Sequence, residues 1–142
     1  KGGGGGGGGG GTAGGDGGDG IVIIRRPTSV EVEGANMTLA SNAYTAQAVP
    51  TTTRIVIDEY TATGSATINT DIKAYVSRDN GSTYTQITLA NQGTIETNHR
   101  LLSGSVDVSG QPSGTSVKYK IETLNQSATK KTRVYGTSMA WA

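Results

Sequence analysis

Cysteine and phenylalanine are absent from the 142 residues, and aromatics make up only 5%. Without cysteine there is no disulfide framework and no cysteine-based zinc site. Its absence is compatible with an extracellular setting. Neither charge sign dominates: twelve basic residues stand against eleven acidic ones, for a formal charge of +1. A balance this near zero builds no field for a polyanion, so nucleic acid is not an expected partner. No apolar run reaches the ~18 residues of a membrane span. The N-terminus carries no charged, apolar and cleavage regions of a signal peptide. Lys1 stands where an initiator Met would, which reads as a processed chain or a fragment.

Glycine is the exception to this sparseness. It fills 23 positions, most of them before residue 21. The chain therefore divides near residue 33, into a glycine-rich extended segment (1–33) and a second part (34–142). Glycine loses more entropy on ordering than any other residue. The tract Gly2–Gly11 is ordered only where main-chain bonds to neighbouring chains hold it. The geometry that allows this is an extended threefold helix of the polyproline II type, with three residues per turn and roughly 3.1 Å rise. Ala13, Asp16 and Asp19 are three apart and fall on one edge of such a helix. Gly14, Gly15, Gly17 and Gly18 leave the other two edges bare for packing, as Gly6 and Gly9 do earlier. A soluble Gly/Asp linker is the alternative reading. Asp16 and Asp19 alone fall short of the six to eight oxygens calcium takes. No Gly-Lys-Ser/Thr follows the glycines, so no phosphate loop is expected.

Ile21, Val22, Ile23 and Ile24 open a β-branched run that continues through Arg25 and Arg26 and stops at Pro27. It reads as one strand buried on both faces. A single strand cannot bury itself, so this run and the bare glycines are the expected assembly residues.

Residues 34–142 read as β throughout, with abundant Ser and Thr and no helical period. The expected strands are Met37–Ala46, Arg54–Thr61, Ala66–Arg78, Tyr84–Ala90, Arg100–Val108, Thr115–Leu124 and Arg133–Ala142, with a short one at Thr94–Thr97. Ile72, Ala74 and Val76 alternate inward against Lys73, Tyr75 and Ser77 outward. Leu102, Gly104, Val106 and Val108 alternate likewise, as do Val117, Tyr119 and Ile121. Turns are expected at Asp79-Asn80-Gly81, Asn91-Gln92-Gly93, Gly110–Gly114 and Asn125-Gln126. Seven or eight such strands make an antiparallel, jelly-roll-like β-sandwich. There are no internal repeats, which argues against a propeller or solenoid.

Two stretches carry a resemblance. The tract ending Gly-Gly-Asp-Gly-Gly-Asp-Gly-Ile-Val-Ile-Ile-Arg-Arg resembles the end of the glycine-rich domain of bacteriophage tail fibres and tail-tip proteins. Those domains commonly finish Gly-Gly-Ser-Gly-Ile-Val-Ile-Val-Arg-Tyr. Here Asp19 stands where Ser is usual, and Arg26 replaces the tyrosine. Asn36–Leu39, Tyr75–Tyr84, Ser109–Thr115 and Tyr119–Thr123 look like a C-terminal β module of phage tail proteins. The resemblance implies a structural part of a virion tail fibre or tip, usually trimeric, meeting other tail proteins and a host-surface glycan or protein. It carries over no catalytic residue and no cofactor.

Within the second stretch, Ser77, Asp79, Gly81, Thr83 and Tyr84 fit the Asp-box pattern Ser-x-Asp-x-Gly-x-Thr-aromatic. Its role is read as structural: Asp79 bonds backbone across the turn, Gly81 takes positive φ, and the aromatic packs beneath. Catalysis finds little support. His99 is the only histidine, Gly-x-Ser-x-Gly is absent, and Asp58 and Glu59 point to opposite faces of a strand. Lys130, Lys131 and Arg133 read as a solvated strand end. Asn36, Asn80 and Asn125 begin Asn-x-Ser/Thr triplets, read as turn chemistry and as glycan sites if the chain is secreted by a cell. Two alternative functions remain: a subunit of a non-viral extracellular filament, assembled by strand addition and polyglycine packing, and a carbohydrate-binding module. The second needs an exposed aromatic platform, for which Tyr44, Tyr60, Tyr75, Tyr84, Tyr135 and Trp141 are the candidates.

Overall fold

A computed structural model describes residues 34–142; the expectations for the glycine tract and for Ile21–Arg26 lie outside them. The described chain is all-β, with nine strands in two antiparallel sheets. In order they are β1 (Met37–Ala40), β2 (Tyr44–Thr45), β3 (Thr52–Thr63), β4 (Ile72–Ser77), β5 (Thr85–Ile87), β6 (Ala90–Glu96), β7 (His99–Asp107), β8 (Ser116–Thr123) and β9 (Lys131–Trp141). One sheet runs β1-β8-β4-β5, with β2 also pairing on β8; the other runs β6-β7-β3-β9. The hairpins β4–β5 and β6–β7 each stay within one sheet.

The alternation of apolar residues makes the sandwich. Ile55 and Ile57 of β3 and Leu102 of β7 face Ile72, Ala74, Val76, Ile87, Val117 and Ile121 of the other sheet, all fully buried. Burying a side chain of this size contributes roughly 1.5–3 kcal/mol. Val108 is buried with them, and Val106 packs against the cluster half-buried.

Local chemistry shifts several boundaries. The expected strand Met37–Ala46 is two short strands, because Ser41 intervenes. Its Oγ accepts the Tyr119 N–H at 3.0 Å, in place of a ladder carbonyl. The strand expected from Ala66 begins only at Ile72. Thr67–Asp71 is a turn in which the Asp71 carboxylate accepts the Thr67 amide at 2.8 Å. The strand expected over Tyr84–Ala90 is confined to Thr85–Ile87, since Asn69 takes both main-chain groups of Leu89 with its side-chain amide. Asn91-Gln92-Gly93 is not a turn but a bulge inside β6. Asn91 Oδ1 accepts the Gly93 N–H, and Gly93 sits at φ 141°, a conformation glycine tolerates. The hairpin reverses instead near Asn98, at φ 64°. Ser77, expected outward, is fully buried because the following turn folds over its hydroxyl.

Ile121 lies at the middle of the core, opposite Leu39 on one side and Ala74 on the other. Ile121→Ala should lower stability by about 2–5 kcal/mol, read as a reduced urea midpoint with an unchanged slope.

Candidate functional site

Three side-chain constellations fix the loops. The first is the turn after β4. Ser77 Oγ and Asp79 Oδ1 are 2.6 Å apart, and the Gly81 and Thr83 amides donate to Ser77 Oγ and Asp79 Oδ1, each at 2.8 Å. Asn80 and Gly81 take the positive φ values of 62° and 86° that reverse the chain. Burial works to raise the Asp79 carboxyl, but the Ser77 hydroxyl and the Thr83 amide outweigh it and hold it below its ordinary value. Tyr84 lies beside Gly81, and the Lys120 ammonium sits over the Tyr75 and Tyr84 rings at 4.4 and 5.1 Å. Every oxygen of Asp79 in use is turned to its own hairpin.

The second constellation was not legible as a motif. Arg78, between the two Asp-box residues, is buried. Its guanidinium donates to the carbonyls of Pro50 (2.8 Å), Ser109 (2.8 Å) and Pro112 (3.1 Å), and to that of Gln111. Gln111 returns the contact: its Oε1 accepts the Arg78 amide, and its Nε2 donates to Val76 O and Thr85 Oγ1. The loop Gly110–Gly114 is thereby locked to the end of β4.

The third joins Asp71 to Lys130 (2.9 Å), to Asn125 Nδ2 (2.8 Å) and to the Thr67 amide. Lys130 is therefore not simply a solvated strand end; it neutralises a buried carboxylate. The Lys130 ammonium first, then the Thr67 amide, then Asn125 hold the Asp71 carboxyl far below the usual range. Asn36, Asn80 and Asn125 are all exposed; Asn36 also accepts the Gln126 amide.

Glu59 and Asp58 do face opposite ways. Glu59 is fully buried on the core face, paired with Arg100 at 2.7 Å and bonded to the Thr61 hydroxyl. Asp58 lies on the outer face. Neither reaches the other to act as an acid/base pair. Among the described residues, no three His, Asp or Glu side chains gather as a metal would need, and no helix is long and apolar enough to cross a membrane.

The aromatic candidates sort into three groups. Tyr60, His99 and Tyr135 form a triangle of edge-to-face contacts, with centroids 4.9–5.5 Å apart, on the outer face of the β6-β7-β3-β9 sheet. A register shift between Asp58 and Glu59 leaves Tyr135 as the extra residue of β9. Tyr75 and Tyr84 are capped by Lys120. Tyr44 and Trp141 meet across the mouth between the sheets, at 6.3 Å and tilted by 34°. Register puts Tyr44 opposite buried Val117 and Trp141 opposite buried Thr53, so both are on the core face. Yet they remain 46% and 36% exposed, because both belong to edge strands. Hollows of about 240, 400 and 470 Å³ share Trp141, and Tyr44 lines the first of them.

No family model, curated protein or solved structure matches the chain.

Two outcomes follow for the loop clusters. Asp79→Ala should cost about 1 kcal/mol and loosen the 77–84 hairpin, read as faster amide exchange at Gly81 and Thr83. The folded Asp71 carboxyl titrates below its unfolded value of ~3.9. Its contribution is therefore full above that pH and is lost as pH falls through the folded value. Asp71→Asn should lower the urea midpoint at pH 7, and its deficit against the native chain should shrink at pH 3.

Proposed function

We propose that the chain is a non-catalytic structural subunit of a virion tail fibre or tail tip, with its β-sandwich displayed for contact with a host-surface glycan or protein. The observation that supports this reading is the dress of the edge strands. Met37 and Leu39 of β1 face the core by register, opposite Thr123 and Ile121, yet each is 37% exposed. Ile95, in the opposite edge strand β6, is 59% exposed. Apolar side chains left along sheet edges suit a module whose sides are completed by neighbours. Asp71, Asp79, Glu59 and Arg78 meanwhile spend their polar atoms on their own loops and strands, as a scaffold requires. The sequence resemblance supplies the setting, and the repeated glycines supply the means of association. In this reading the subunits close as a trimer and dock on other tail proteins.

The test is the assembly itself. The full chain should sediment as a discrete trimer, and negative-stain images should show threefold particles. Gly6→Val should shift it to smaller species, because a branched side chain leaves packed glycine helices no room. Asp16→Ser should assemble normally. A monomer for the native chain removes the subunit reading. An open helical polymer replaces the closed fibre with the filament alternative.

A further inference from the structure

We infer that the hollow at Tyr44 and Trp141 is a binding site for a neutral oligosaccharide. Its lining decides the ligand class. The central hollow, about 240 Å³, is walled by Tyr44, Tyr119, Thr137, Ser138, Met139 and Trp141. These are aromatic faces, hydroxyls and a thioether, with no charged side chain. Arg54 is the one charged side chain across the three hollows, and it lines only the one of about 400 Å³, its Nε donating to Ser103 Oγ at 3.2 Å. A phosphate, sulfate or sialic acid finds no cation in the central hollow. A purely apolar ligand fits poorly too. Tyr44, Tyr119 and Ser138 bring hydroxyl groups to the residues that wall this hollow. Hydroxyls beside aromatic walls favour a ligand that brings its own donors and acceptors, directly or through water.

A sugar ring combines what these walls ask for. Its C–H face packs on an aromatic ring, and its hydroxyls bond at the rim. Tyr44 and Trp141, tilted by 34°, form an angled platform rather than a closed stack, so their outer faces are the ones presented. β9 is an edge strand, and its outward main-chain groups add donors and acceptors along the same side. Because the flanking hollows of about 400 and 470 Å³ also touch Trp141, the site takes more than one ring.

This inference deepens the proposed contact role of the sandwich, and its test is independent of assembly. Trp141 is the only tryptophan, so its emission reports on this site alone. The full chain is titrated with neutral trisaccharides of pentose, hexose and N-acetylhexosamine units, and with sialyllactose. At least one neutral trisaccharide should shift the emission saturably, with half-saturation near or below ~1 mM, and sialyllactose should do no better than its neutral core. Tyr44→Ala should weaken binding at least tenfold. Tyr44→Leu, which keeps apolar bulk but not the ring, should do the same, and Tyr135→Ala on the distant patch should change nothing. Three results overturn the site: no saturable shift with any neutral sugar, binding by either Tyr44 variant as tight as by the native chain, or an emission shift that follows protein concentration alone as the mass doubles. The last would show a second copy covering the hollow. Failure here leaves trimer formation standing, and loss of the trimer leaves the titration readable.

Discussion

One buried guanidinium holds the two sheets in register. Arg78 leaves the end of β4, in one sheet, and donates to carbonyls on both sides of the other: Pro50, just before β3, and Ser109 to Pro112, just after β7. Burying a charge is costly unless it is well hydrogen-bonded. Arg78 meets that condition with main-chain oxygens rather than a carboxylate: all three guanidinium nitrogens donate, through four of the five N–H groups of the planar fork. The nearby Asp107 feels the charge as well. The Ser109 hydroxyl and amide lower its carboxyl first, and Arg78 adds a smaller push in the same direction. The Asp-box turn follows directly from Arg78, so its tight hydrogen bonding begins from a fixed point. The same is true of the loop that carries Gln111.

The sandwich itself was legible from period-2 patterning. β4, β7 and β8 place Ile72, Val76, Leu102, Val117 and Ile121 inward, as their alternation requires. Local exceptions were not legible. A turn and a bulge both favour Asn and Gly, so Asn91-Gln92-Gly93 gives the same signal for either; the partner strand β7 decides. Glu59 occupies a core position, which no alternation rule would fill with a carboxylate. Its reason is Arg100, 41 residues later and across the strand pair. Arg78 is hidden in the same way, because its partners are carbonyls, and carbonyls have no sequence. The Tyr44–Trp141 pair joins the two ends of the described chain, so only the pairing of β2 with β8 and of β9 with β3 brings it into being.

Irregularity at the margins has its own logic. Edge strand β6 shifts register twice against β7, and edge strand β9 shifts twice against β3. Bulges increase local twist and spoil a flat template for further strands. The opposite sheet achieves this differently, by dividing one edge into the short strands β1 and β2. A chain with apolar margins gains from such breaks, since they oppose unlimited edge-to-edge growth.

The order of strands also sets a schedule for synthesis. β3 lies inside its sheet, but both of its neighbours, β7 and β9, come later in the chain. In the other sheet, β1 and β2 wait for β8, and β4, once paired with β5, keeps its other flank bare until then. As the chain emerges, Ile55 and Ile57 have no sheet to enter until His99–Asp107 is made, and β3 keeps a bare flank until Lys131–Trp141 follows. Sheets built on such distant pairings close slowly, and their unfinished forms are prone to stick to one another. The nascent chain thus depends on being kept apart from its own copies until β9 has docked, the reverse of the association proposed for its finished form.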